Sequence, residues 1–256
     1  MQNSHFLNFI NKTVKYLRWY PFKKLIYLYQ TRICRCKCCN KLSIIVSLDK
    51  GEETKRCIRC LANLRYEMIA EYIHDNYKET LKDISVLELD SNSPLTNILK
   101  NSKEYTMTYF SSKDNLGDIK NGIRCEDITK LTFENNKFDL IISSDVLEHV
   151  CDLKNAFKES ARVLKSNGFH IFTVPIGDGK TFKRCDWIES KLNYFVEPEY
   201  HYDPLDKNGC LVYWTFGTDI VNYLIDENYK ISLIKGPIGK DKRYLIALKK
   251  IGIKSD

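Results

Sequence analysis

No long hydrophobic run occurs in this chain. The longest apolar stretches are about five residues, far short of the roughly 20 that a membrane-spanning helix needs. The first residues do not read as a secretory leader either: Asn8, Asn11, Lys12 and Lys15 break the apolar positions, and no small-residue cleavage site follows. The expectation is therefore a cytoplasmic protein with no transmembrane segment. Glycine-rich nucleotide motifs are also missing. There is no G-x-G-x-x-G and no G-x-x-x-x-G-K-[ST], so neither a dinucleotide site nor a P-loop has support. Repeats and low-complexity tracts are absent as well.

What is present is ordinary globular material: 256 residues, 43% hydrophobic and 29% charged, enough for one sizeable core and a small appendage. The net charge of +7 is unevenly placed. Residues 1–60 carry 13 Lys and Arg against 3 Asp and Glu. Such an excess attracts nucleic acid, an anionic membrane surface or an acidic substrate; the plain alternative is solvated surface charge, partly offset by thiolates. Residues 1–33 mix this charge with aromatics. Phe6, Ile10, Val14 and Leu17 follow a helical spacing until Pro21 limits it. That stripe either packs on the main domain or makes a peripheral membrane contact through residues 1–30.

Six of the ten cysteines lie between positions 34 and 60. Cys36-x2-Cys39 and Cys57-x2-Cys60 form two knuckles whose separation matches a four-thiolate zinc site. Two sulfurs three positions apart can reach one ion from a tight turn, and the second pair completes the tetrahedron. Four protein ligands leave no open position, so the zinc would be structural. Cys34 and Cys38 crowd the first knuckle, and either can replace one of its ligands. Leu42–Leu48 suits a hairpin strand inside this zinc-ribbon-like module (34–60). Leu61, Leu64, Met68, Ile69, Tyr72 and Ile73 then recur at helical spacing, predicting a linking helix within 61–83.

From residue 84 strands alternate with helix-length segments. Ile84–Leu89, Tyr105–Phe110, Ile123–Cys125, Phe138–Ser143 and Phe169–Val174 read as strands, and Leu153–Leu164 as a helix. Such alternation argues for βαβ units and a mostly parallel α/β sheet covered on both faces. Thr218–Asn228 reads as a further helix, and 231–234 and 244–248 as an antiparallel pair. Residues 176–216, aromatic and irregular, read as an insertion over one edge.

Ligands of open α/β sheets bind beyond the carboxyl ends of the strands. Acids stand there: Glu88 and Asp90 after the first strand, Asp127 after the third, Asp145 after the fourth. Carboxylates in such a row suit hydroxyl- and amine-bearing ligands better than phosphates.

The stretch EDITKLTFENNKFDLIISSDVLEHVCDLKNAFKESARVLKSNGFHIFTVP (126–175) resembles the central half of class I S-adenosylmethionine-dependent methyltransferases, type 11-like. The D-x-L-E-H segment after the fourth strand and the R-V-L-K turn before the fifth carry the resemblance. The cysteine module followed by a basic helix is similar to a branch with an N-terminal zinc ribbon. The resemblance implies a Rossmann-like, doubly wound, mostly parallel seven-stranded sheet over 84–250, with S-adenosylmethionine as cofactor beside the structural zinc. It also implies site residues. Asp127 and Ile128 would flank the adenine, and Glu88 would lie near the methionine amino group or the ribose. Ser144 and Asp145 would line the methionine end. Glu148 and His149 would open the next helix, with His149 as general base.

Two departures stand out. The family's E-x-G-x-G-x-G loop reads Glu88-Leu89-Asp90-Ser91-Asn92-Ser93-Pro94 here, placing Asp90 and Asn92 at the cofactor. Tyr109 stands where an acid after the second strand usually grips the ribose. The expected activity is methyl transfer to a small-molecule or glycan hydroxyl, with the insertion as lid and acceptor wall. The alternatives are an RNA methyltransferase gripping RNA with the basic zinc module, or a binding protein with a degenerate pocket.

Overall fold

The computed structural model describes residues 31–47, 54–201, 208–224, 228–238 and 242–251. The aromatic and basic stripe of residues 1–30 lies outside these. Three short strands open the described chain: β1 (Arg32–Arg35), β2 (Leu42–Ser47) and β3 (Lys55–Cys57), paired antiparallel in that order. Helix α1 (Leu64–Tyr77) follows, capped by the Asn63 side chain, which accepts from the Tyr66 N–H.

The main sheet uses β4 (Ser85–Glu88), β5 (Glu104–Tyr109), β6 (Ile119–Lys120), β7 (Ile123–Cys125), β8 (Phe138–Ser144) and β9 (Leu164–Pro175), with β16 (Tyr229–Ile238) and β17 (Arg243–Lys250) at the end. Their order is β16-β17-β9-β8-β4-β5-β7-β6. The five from β9 to β7 run parallel, and the β16–β17 pair joins antiparallel to β9. This is the Rossmann-like sheet, with the two-residue strand β6 added antiparallel at one edge. Short α2 (Thr96–Leu99) links β4 to β5, and α3 (Leu153–Val163) links β8 to β9.

The period of two along each strand sorts side chains into two cores. Val86, Leu140, Ile142, Ile171, Leu245 and Ala247 pack toward α1, α2 and the cysteine module. Leu87, Ile141, Phe172, Val174, Ile246 and Leu248 pack toward α3, around Phe157. Burial on both faces is why the strands read as near-continuous apolar runs. Of the helix expected over 218–228, α4 (Val221–Leu224) is described.

Residues 176–216 form small ladders. Strand β10 (Phe182–Lys183) pairs with β15 (Trp214–Thr215), β11 (Cys185–Ile188) with β12 (Lys191–Tyr194), and β13 (Tyr200–His201) with β14 (Cys210–Leu211). Most of the insertion's aromatics do not make a core of their own: Trp187, Tyr194, Phe195 and Tyr200 are exposed.

Candidate functional site

The order in which the chain adds parallel strands reverses at β4, with β5 on one side and β8 on the other. The crevice beyond the carboxyl ends of β4 and β8 is the place this topology reserves for a ligand. Glu88 closes β4 there. It is fully buried, and the Tyr105 hydroxyl donates to its Oε2. Its Oε1 is buried with no hydrogen-bond partner. Burial, with Asp90 nearby, pushes the Glu88 carboxyl up to about 8. An unsatisfied buried oxygen costs about 1–3 kcal/mol, and an amine arriving there would relieve it.

The loop after Glu88 turns without any residue at positive φ. Glycine is therefore not required by the backbone, and the tolerance of Asp and Asn for left-handed geometry is not used. The Asp90 side chain is fixed on both oxygens: Oδ1 accepts the Asn92 N–H at 2.8 Å, and the Tyr66 hydroxyl of α1 donates to Oδ2. Asn92 is exposed, while Asp90 and Tyr109 are half-buried.

At the end of β5 the Tyr109 hydroxyl donates to Asp114 at 2.9 Å, and Lys120 pairs with the same carboxylate at 2.5 Å. Lys120, then Tyr109, holds Asp114 below the usual carboxylate range. An acid is thus brought to the second strand's end from five residues downstream. Asp127 caps its own turn, accepting from the Thr129 N–H and hydroxyl at 2.8 Å each. Ile128 is buried in the core on the α3 side.

Beyond β8, Asp145 takes a left-handed conformation, φ 53°. Its Oδ1 accepts from Thr173 at 2.9 Å; its Oδ2 meets Arg65 at 2.9 Å and Arg243 at 3.1 Å. The Ser144 hydroxyl lies 3.3 Å from that of Thr173. Glu148 and His149 do not open α3. They sit in a 3-10 turn, Leu147–His149, and α3 begins later behind its cap Asp152. The insertion clasps this turn. Tyr213 N–H donates to the Glu148 carbonyl at 2.8 Å, and the Trp214 indole to the Val150 carbonyl at 2.9 Å. His149 Nδ1 donates to the Leu211 carbonyl at 2.8 Å, and its Nε2 faces His201 Nδ1 at 3.1 Å.

The cysteine module brings Cys36, Cys39, Cys57 and Cys60 together, with all four sulfurs within 4.8 Å of one another. Cys36 and Cys60 are 3.5 Å apart, Cys39 and Cys57 4.0 Å. Two sulfurs at about 2.3 Å from one zinc stand about 3.8 Å apart across a tetrahedral angle, whereas a disulfide needs about 2.05 Å. The donor set and its spacing fit zinc. Both knuckles share one turn. Asn40 N–H donates to the Cys36 carbonyl and Leu61 N–H to the Cys57 carbonyl, with Asn40 and Leu61 both left-handed. Cys34 and Cys38 lie outside the four-sulfur group. Hydrogen bonds from the neighbouring Cys38, Cys57 and Cys60 thiols push the Cys36 thiol strongly down.

Sequence reasoning missed Arg65, Arg243, Tyr66 and Tyr105. Each reaches the site from a distant element through a tertiary contact, and no local motif marks it.

The parallel order of β9-β8-β4-β5-β7 with an antiparallel pair beyond β9 is a Rossmann-like fold with acids at its strand ends. Residues 95–172 match the family described as a methyltransferase domain. Two uncharacterized proteins of Methanocaldococcus jannaschii are similar to this chain. One is 31% identical over 132 residues, 41% of this chain and 52% of the relative; the other is 32% identical over 126 residues, 48% and 56%. The chain thus spans about half the length of the curated relatives it matches. Among solved structures, an S-adenosylmethionine-dependent methyltransferase from Mesorhizobium loti aligns with a TM-score of 0.43 at 17% identity, covering 65% of this chain and 91% of that one. A glycopeptide N-methyltransferase complexed with S-adenosylmethionine aligns with 0.47 at 11%, covering 73% and 94%.

Proposed function

We propose that this protein transfers a methyl group from S-adenosylmethionine to a hydroxyl of a small-molecule or glycan acceptor. The observation that carries the reading is the buried Glu88 at the sheet's reversal point, with one oxygen satisfied by Tyr105 and the other left for an incoming amine. Bound there, the cofactor supplies an electrophilic methyl on a sulfonium. The chain's own residues do the rest. Glu88 receives the amino group, Asp114 held by Tyr109 serves the ribose hydroxyls, and Asp127 with Ile128 serves the adenine. Ser144 and Asp145 border the methionine end. Displacement at the methyl carbon is in-line, so positioning and exclusion of water are the main contributions. The acceptor's proton leaves toward His149 on the turn that the insertion covers. In the cysteine module the four thiolates hold a structural zinc.

Calorimetry with S-adenosylhomocysteine tests the reading. Binding is expected, weakened about tenfold or more by Asp127→Asn. That substitution keeps an oxygen for the Thr129 cap but opposes a donor to the adenine amine. No heat and no thermal shift at millimolar ligand would leave only the degenerate binding protein. An RNA acceptor is the second reading, supported by exposed Arg32, Arg35, Lys37, Lys41 and Arg59 on the cysteine module. Salt-dependent RNA binding at physiological ionic strength would favour it.

A further inference from the structure

A second group of ligating side chains lies outside the cysteine module. One carboxylate oxygen of Glu148 and one ring nitrogen each from His149 and His201 fall within 4.8 Å of one another. The two imidazoles meet edge to face, ring centroids 4.8 Å apart at 85°. Their outward nitrogens are both held. His149 Nδ1 lies 2.8 Å from the Leu211 carbonyl, which can only accept, so the proton sits on Nδ1 and the lone pair on Nε2. His201 Nε2 lies 3.3 Å from Glu199 Oε1, and Arg184 braces Glu199 at 3.2 Å on its other oxygen. A carboxylate there fixes the proton on Nε2 and turns the lone pair of Nδ1 inward. With both rings neutral, the inward nitrogens are two lone-pair atoms 3.1 Å apart, a pairing that a cation bound by both would satisfy.

Glu148 supplies the independent sign. It is 1% exposed, and neither carboxylate oxygen has a hydrogen-bond partner. A buried carboxylate with both oxygens unsatisfied is costly unless a cation meets it; Arg243 and Arg65 act on it through space but give it no hydrogen bond. Each histidine held through its far nitrogen by a carbonyl or carboxylate is the arrangement that orients metal-binding imidazoles.

We propose that Glu148, His149 and His201 bind one divalent transition-metal ion through two imidazoles and one carboxylate, with coordination positions left for an oxygen ligand. This donor set suits manganese, iron, cobalt or zinc rather than magnesium or calcium. Its open positions would take the oxygen of the acceptor hydroxyl and lower its pKa, so that the proton passes to bulk water instead of to His149, whose Nε2 is then a ligand. The binding stands on this geometry alone; its use on the acceptor rests on the methyltransferase reading.

The test uses the full chain with zinc already in the cysteine module and cobalt(II) as the probe. Visible absorption distinguishes the sites, because a nitrogen and oxygen site lacks the thiolate charge-transfer bands of a cysteine site. The expected result is one further cobalt per chain without those bands, its affinity reduced at least tenfold by Glu148→Gln and by His201→Ala. His201 lies in a two-residue surface ladder, so His201→Ala leaves the fold intact if Glu148→Gln does not. A chain that takes up no cobalt beyond the cysteine module, or that binds it equally well in a folded variant of either kind, overturns the proposal. The S-adenosylhomocysteine titration is independent, so either idea can fail alone.

Discussion

Arg65 of α1 and Asp145 beyond β8 form an ion pair of 2.9 Å between residues 80 apart in sequence. It ties the helix that follows the cysteine module to the carboxyl edge of the sheet. Asp145 is almost wholly buried, and Arg243 approaches the same oxygen at 3.1 Å. Removing one guanidinium leaves the other, so Arg65→Met should cost about 1–2 kcal/mol. Asp145→Asn keeps a residue that tolerates the left-handed backbone but strips the charge from both arginines, and should cost about 3 kcal/mol. Urea denaturation of the two variants measures this; equal costs would mean that Arg243 does not share the load.

Metal removal should separate the cysteines into two classes. Purified protein is expected to carry one zinc in the module. Cys36→Ser or Cys57→Ser should abolish it, and Cys34→Ser should leave the stoichiometry unchanged. Chelation should lower the melting temperature, because buried Cys36, Cys38 and Cys57 belong to the same core cluster as Met68 and Ile69 of α1. Zinc content by elemental analysis and a thermal melt report both effects.

Glu88 makes stability depend on pH with a definite sign. Its carboxyl is raised from 4.5 to about 8 by burial. Its contribution is fully present below the unfolded pKa and is lost as pH rises toward 8, because the unfolded chain gives up the proton first. Wild type should therefore lose stability relative to Glu88→Gln between pH 5 and pH 8, by roughly 2–4 kcal/mol over the whole window. Parallel curves for the two proteins would contradict the buried position. His170 works in the opposite direction. Burial lowers it to about 3, so its contribution falls away as pH drops below about 6.5 and is common to both proteins.

Ligand binding should displace that proton. At pH 7 Glu88 holds it, and an amino group paired with the carboxylate expels it. Titration of S-adenosylhomocysteine in buffers of different ionisation enthalpy should show close to one proton released per ligand, reduced to near zero in Glu88→Gln. Equal heats in all buffers would move the amino group elsewhere.

The sheet was legible because burial on both faces leaves apolar runs, and the cysteine module because ligand spacing is local. Phe138–Ser144 and the Cys36 and Cys57 knuckles carry their own signals. The β11–β12 hairpin did not. Its two-residue turn is Glu189-Ser190, both at positive φ, without the Asn-Gly or Asp-Gly pair that normally announces one. The site was half legible. Acids at strand ends follow from chain order, but the partners that fix them do not. Tyr66 reaches Asp90 across 24 residues, and Arg243 reaches Asp145 across nearly a hundred. The approach of His201 to His149 depends on how the insertion folds back, and no spacing rule encodes that.

The all-negative φ values of the Glu88–Pro94 loop have a consequence for redesign. Rewriting Asp90, Asn92 and Pro94 as glycines to imitate better-known cofactor loops would repair nothing, since no torsion there is under strain. It would release the tether to Tyr66 and enlarge the disorder of the denatured chain, at about 0.5–1 kcal/mol per glycine. Here the bulkier spelling is the stiffer loop.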